Sequence, residues 1–166
     1  MADTARVAPS AMVTRNARVF GNASVSDNAY ITGQSRVYGN ARVFDNARVS
    51  GKARVFGNAQ VSDNAWVSVG SQVFDNARVF GNAKISGKAR VFGDASVFEN
   101  SLICTNACVL DNARVSGNAW VSGNAQVSGN AWVFGNARVY GNARVSGDAR
   151  VSGDAWVYGN AQEMAK

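Results

Sequence analysis

The sequence predicts an all-β chain, one domain wound as a solenoid of triangular coils, and three observations carry that reading. Every sixth residue from Val7 to Val157 is Val or Ile, at 26 consecutive positions with no insertion or deletion. Two places before each stands Ala, replaced by Ser only at Ser35, Ser71 and Ser101. The residue after each Val sorts by chemical type at a period of 18. So strict a short period specifies a solenoid, in which each strand buries its apolar face only against the coils above and below.

Within one hexad, such as Ala41-Arg42-Val43-Phe44, alternation by two puts Ala and Val on one face and Arg and Phe on the other. The Gly-Asn pair that follows most units is turn chemistry, since both residues tolerate the positive φ of a sharp corner. Four extended residues and a two-residue corner make one side of a prism. The outward residues give the number of sides. One corner reads Phe20, Tyr38, Phe56, Phe74, Phe92, Leu110, and another reads Thr14, Thr32, Ser50, Ser68, Ser86, Cys104, Ser122. A hexad alone would not separate aromatics from hydroxyls. Three hexads per coil do, because residues 18 apart then stack at about 4.8 Å. The predicted domain, 1–166, holds hexads over about 5–161 with short tails. The 26 hexads make between eight and nine coils, roughly 40 Å tall.

Val and Ala dominate the apolar residues and Leu occurs only twice, so the core is thin, as a narrow tube requires. No apolar run is long enough to span a membrane, and Met1-Ala-Asp-Thr-Ala-Arg6 lacks the apolar stretch of a signal peptide. Cys104 and Cys108 are too few for a disulfide framework. The expectation is a cytoplasmic chain with no membrane partner. A net charge of +6 permits contact with an anionic polymer, or serves only to keep the rod soluble.

The unit Val-x-Gly-Asn-Ala-x, over residues 5–161, resembles the hexapeptide-repeat, left-handed parallel β-helix family, whose pattern is aliphatic, x, x, x, small, x. Here Gly stands two places after the aliphatic residue, where many members have it one place after. That variant resembles bacterial and phage proteins often described as predicted acyltransferases, so a phage structural component is one expectation. The resemblance implies the left hand of the winding. It also implies transferases with a His general base at a subunit interface, or γ-type carbonic anhydrases with three His on zinc. This chain has no His, so no position inherits either role, and two Cys make an incomplete zinc site. Nor does the period break for the extruded loop such enzymes carry. The expectation is therefore no catalytic, cofactor or metal site. The function expected is a non-catalytic scaffold, spacer or self-association module, with an acyltransferase lacking the usual His as an alternative.

The residues before each Val project from the middles of the sides. One side reads Arg18, Arg36, Arg54, Gln72, Arg90, Cys108, Gln126, Arg144. An anionic polymer along it would relieve the repulsion of Arg18, Arg36, Arg54, Arg90 and Arg144. Alternatively their stems cover the sheet and their charges stay in water. A second side alternates charge with short polar groups: Arg6, Ser24, Arg42, Gln60, Arg78, Ser96, Arg114. The third reads Met12, Tyr30, Arg48, Trp66, Lys84, Leu102, Trp120, Arg138, Trp156. Its Tyr30, Trp66, Trp120 and Trp156 suit a homo-oligomer interface, a platform for sugars or bases, or a cation–π ladder with no partner. The resemblance implies side-by-side trimers.

Departures from the repeat add local candidates. Phe98, Leu102, Cys104, Cys108 and Leu110 make one coil apolar outside, a girdle suited to a partner. Cys104 and Cys108 flank a corner and predict no disulfide. Asp27, Asp45 and Asp63 line one corner, where they either hold Ca²⁺ or simply tolerate the turn. At Ser68-Val69-Gly70-Ser71 the Gly is displaced, which predicts a differently shaped corner. Arg15 and Thr105 also stand where Gly or Asp is usual. Glu163 falls on the next Val position, so the solenoid is expected to stop near Val157 or Ala161. Uncapped ends predict either folded-over tails or end-to-end stacking.

Overall fold

A computed structural model describes residues 4–165; Met1, Ala2, Asp3 and Lys166, on which part of the signal-peptide and tail readings falls, lie outside the described residues. Among the described residues there are 27 short strands. No helix is long and apolar enough to cross a membrane. Strand β1 is Arg6–Val7, β2 is Met12–Val13 and β3 is Arg18–Val19, and strands follow at six-residue steps to β25 (Arg150–Val151) and β26 (Trp156–Val157). Only β24 (Arg144–Gly147) and β27 (Gln162–Ala165) run to four residues.

Every third strand pairs in parallel, giving three nine-stranded sheets: sheet A from β1 to β25, sheet B from β2 to β26, and sheet C from β3 to β27. The register is 18 throughout, as where Gln60 faces Arg42 and Val61 faces Val43. Nine strands at about 4.8 Å make a rod of roughly 40 Å.

Alternate backbone groups hold coil to coil. The N–H of Arg42 donates to the Ala59 carbonyl at 2.9 Å, that of Phe44 to Val61 at 3.0 Å, and that of Asn46 to Asp63 at 2.9 Å. Inside, the Ala and Val rows form one apolar cluster with exposures near zero from Ala23 to Val145. The three Ser at Ala positions fit because each hydroxyl donates to a carbonyl three residues back: Ser35 to Thr32 at 2.8 Å, Ser71 to Ser68 at 2.7 Å and Ser101 to Phe98 at 2.8 Å.

Two expectations change. The corner at Val69 keeps the common shape, with Val69 itself at φ 63° while the displaced Gly70 does not take a positive φ. Its neighbours impose this: Lys52 donates to the Val69 carbonyl, and Gly70 donates to Gly87 at 2.9 Å. Arg15 (φ 60°) and Thr105 (φ 63°) are bent the same way. The solenoid also runs past Ala161. Strand β27 pairs with β24, placing Glu163 opposite Val145 and completing the ninth coil. Glu163 is exposed there, so its carboxylate keeps contact with solvent.

Candidate functional site

Sheet B gathers the aromatic candidates on one flat face, in the register Tyr30–Arg48–Trp66–Lys84–Leu102–Trp120–Arg138–Trp156. Trp66, Trp120 and Trp156 are 45%, 40% and 57% exposed, too much for core residues. Each ring nitrogen needs a partner. Trp66 Nε1 donates to Ser50 Oγ at 3.0 Å and Trp120 Nε1 to Cys104 Sγ at 3.1 Å, both on the neighbouring corner row. Cation–π stacking forms at the C-terminal end, where the Arg138 guanidinium lies 5.5 Å from the Trp120 ring and 5.2 Å from that of Trp156. These three side chains line an open cleft of about 240 Å³ with Ser122 and Tyr140. At the other end, Tyr30 OH is 3.5 Å from Thr14 Oγ1. Hydrogen bonding by Thr14, then Thr32, holds the Tyr30 phenol below its ordinary pKa.

Sheet C carries the arginine strip, and Arg18, Arg36, Arg54, Arg90 and Arg144 are all exposed. Arg18, Arg36 and Arg54 are direct register neighbours with nothing between them. Gln72 interrupts the row before Arg90. Arg90 lies against the aromatic corner instead, 5.4 Å from the Phe74 ring and 5.0 Å from that of Phe92. Those rings belong to a stack from Phe20 to Phe92 with centroids 4.8–4.9 Å apart. Arg144 and Cys108 line a shallow, amide-rich cleft of about 520 Å³ with Asn124, Gln126, Asn142, Asn160 and Gln162.

The girdle does not form one patch. Leu102 lies on sheet B and Cys108 on sheet C, while Phe98, Cys104 and Leu110 sit at the corners. All five are half-buried, because coils above and below cover them; Phe98, for example, stacks on Phe80 at 4.9 Å. A flat partner meets at most one side of this coil. Both cysteines are free thiols.

The acidic corner has a backbone role that residue spacing did not reveal. Positive φ turns the corner N–H toward the coil before it, and the carboxylates accept it there. Asp27 Oδ2 accepts from Asp45 N at 3.3 Å, Asp45 Oδ2 from Asp63 N at 3.2 Å, and Asp63 Oδ2 from Gly81 N at 2.8 Å. Asp75 and Asp111 do the same at another corner, at 3.3 and 3.0 Å. No group of three or more His, Cys, Asp or Glu among the described residues is placed to hold a metal ion. The corner amides form ladders beside them, as where Asn28 Nδ2 donates to Asn46 and Asn64 Nδ2 to Asn82, at 3.4 and 3.2 Å.

Sequence reasoning missed Trp132. It lies on sheet A between Arg114 and Arg150, meets the Phe134 ring in a tilted contact with centroids 4.4 Å apart, and has the Arg150 guanidinium 6.0 Å from its ring. The period of 18 carried on past Arg114 would have found it. The repeat model described as the YdcK Beta solenoid repeat matches residues 35–51, 41–57, 47–63, 71–87, 106–124, 125–141, 137–153 and 143–159, together more than half of the chain. No curated protein matches it.

Proposed function

The chain belongs to the YdcK beta-solenoid repeat family, and from that premise we propose that it is a non-catalytic rigid rod, a scaffold or spacer that associates side by side through sheet B. The observation that carries this is the row of half-exposed Trp66, Trp120 and Trp156 on one flat sheet. Indole and guanidinium groups dominate the energetics of protein interfaces, and a flat ladder presents them at fixed spacing. Several corner rows, by contrast, are engaged in coil-to-coil ladders of rings, amides and carboxylates. The likeness to hexapeptide-repeat proteins, with their left-handed winding and lateral trimers, supports the same reading.

The test is light scattering across a concentration series for the wild type and for Trp66→Ser/Trp120→Ser/Trp156→Ser. A homo-oligomer, most simply a trimer, that falls to a monomer in the triple variant is expected. A wild-type monomer at every concentration would sink the reading. A second reading has its own support in the adjacent exposed Arg18, Arg36 and Arg54: sheet C binds an anionic polymer. Heparin retention at low salt that drops in Arg36→Ser, with a smaller salt slope, is expected. No retention at low salt removes it.

A further inference from the structure

On sheet A the residue after each Val forms a corner row that includes Phe44, Ser62, Phe80, Phe98, Ser116 and Phe134. Rings one coil apart in this row stack, as Phe80 does on Phe98 at 4.9 Å. Two serines, Ser62 and Ser116, stand between rings, and the chain treats them differently. At Ser116 the indole of Trp132 leans back over the corner. Its Nε1 donates to Ser116 Oγ at 3.2 Å, its ring meets that of Phe134 with centroids 4.4 Å apart, and Ser116 is only 3% exposed. There the chain supplies the missing ring itself. At Ser62 the residue in the place of Trp132 is Arg78, which follows Gln60 in the register as Trp132 follows Arg114.

Arg78 does not close the Ser62 gap as the indole closes the other. Among the described residues its guanidinium joins no ring and no carboxylate, and nothing bonds to the Ser62 hydroxyl. Phe44 and Phe80 stand two coils apart, so their rings are separated by roughly 10 Å. One flat ring midway would lie about 5 Å from each, within the range of stacked aromatics. A cleft of about 210 Å³ lies there, lined by Phe44, Gln60, Ser62, Arg78, Val79 and Phe80. Its rim is cationic, with Arg42 on one side of Gln60, its guanidinium 5.5 Å from the Phe44 ring, and Arg78 on the other. The acids of the adjoining corner, Asp45 and Asp63, accept the backbone N–H groups of Asp63 and Gly81, and neither lines the cleft.

We propose that the gap at Ser62 is a binding slot for a small planar aromatic anion of the indole carboxylate class. The ring lies between Phe44 and Phe80, its N–H donates to Ser62 Oγ as that of Trp132 does to Ser116, and its carboxylate reaches Arg78. The slot is on sheet A, apart from the Trp row of sheet B and the arginine strip of sheet C, and is independent of both. The probe is indole acetate, followed by saturation-transfer NMR and by amide shifts on the wild type, Ser62→Phe, Arg78→Gln and Lys88→Gln. Binding to the wild type should move the amides of Ser62 and Phe80. Arg78→Gln should weaken it roughly tenfold, the weight of one charge-assisted hydrogen bond, while Lys88→Gln, which removes an exposed charge at another corner, leaves it unchanged. Ser62→Phe completes the ring stack from Phe44 to Phe98 and should abolish binding, with circular dichroism confirming its fold. Arg78 is exposed, so the Arg78→Gln arm reads the slot even where Ser62→Phe fails to fold. Cyclohexane acetate, which has the charge without the flat ring, should not compete. No saturation transfer from the wild type at millimolar probe, equal binding by a folded Ser62→Phe, or equal competition by cyclohexane acetate would overturn the proposal.

Discussion

Val69→Gly should stabilise the protein, although it deletes an apolar side chain from a Val-rich repeat. Val69 has φ 63°, a region costing an L-residue about 1–2 kcal/mol, and a β-branched side chain there is a marked outlier. Its side chain is 59% exposed, so truncation loses little burial. Glycine releases the strain but adds unfolded-chain entropy worth roughly 0.5–1 kcal/mol. The net expectation is a gain of about 0.5–1 kcal/mol, or roughly 1–4 °C in melting midpoint for a chain of this size. Val69→Ala keeps the strained φ and should stay near the wild type. The reciprocal Gly87→Val should lose about 1–2 kcal/mol or more, because a Cβ there meets Thr105 backbone N and O at 2.8 Å. Urea unfolding followed by circular dichroism, with thermal melts alongside, measures all three. A Val69→Gly protein less stable than the wild type would refute the reasoning, since it would mean that the side chain, and not the corner, carries the energy.

Two further outcomes follow from the corners and from Tyr30. Asp63→Ala should cost about 1–2 kcal/mol, since it removes the acceptor of the Gly81 N–H and leaves Ala at φ 55°; Asp63→Gly should cost less, and the reverse order in urea unfolding counts against the backbone role. The Tyr30 phenol should ionise below the ordinary range near 10, and Thr14→Val should move its ultraviolet titration upward. Because the folded value is depressed, the stability linked to Tyr30 is present above the unfolded phenol value and is lost as pH falls through the folded one. Wild type and Thr14→Val should therefore diverge in this linked contribution only at alkaline pH, and coincident titration curves would remove Thr14 as its cause.

Particular residues show how much was legible. The Val7-to-Val157 period and the segregation of Phe56 from Ser50 were enough for the triangular coil, because stacked side chains repeat only when coil length is an integer number of hexads. The Trp row was legible for the same reason. The girdle around Leu102 and Cys108 was legible as residues of one coil, but how far the coils above and below cover each of them was not. Carboxylate-to-backbone bonds such as Asp63 to Gly81 were also hidden, since spacing states which residues stack and leaves open which atoms meet.

By itself the sequence determined the class of fold, the number of sides, the inward Val and Ala rows and the residue types on each outer face. These depend on local alternation and on one period, both written along the chain. The tertiary structure alone decided that Val69 is bent into the common corner, that Asp63 accepts the Gly81 N–H, and that Glu163 pairs opposite Val145 in the last sheet. Each of these depends on what the neighbouring coil supplies across a gap of 18 residues: a backbone group to pair with, or a donor for a carboxylate to accept from.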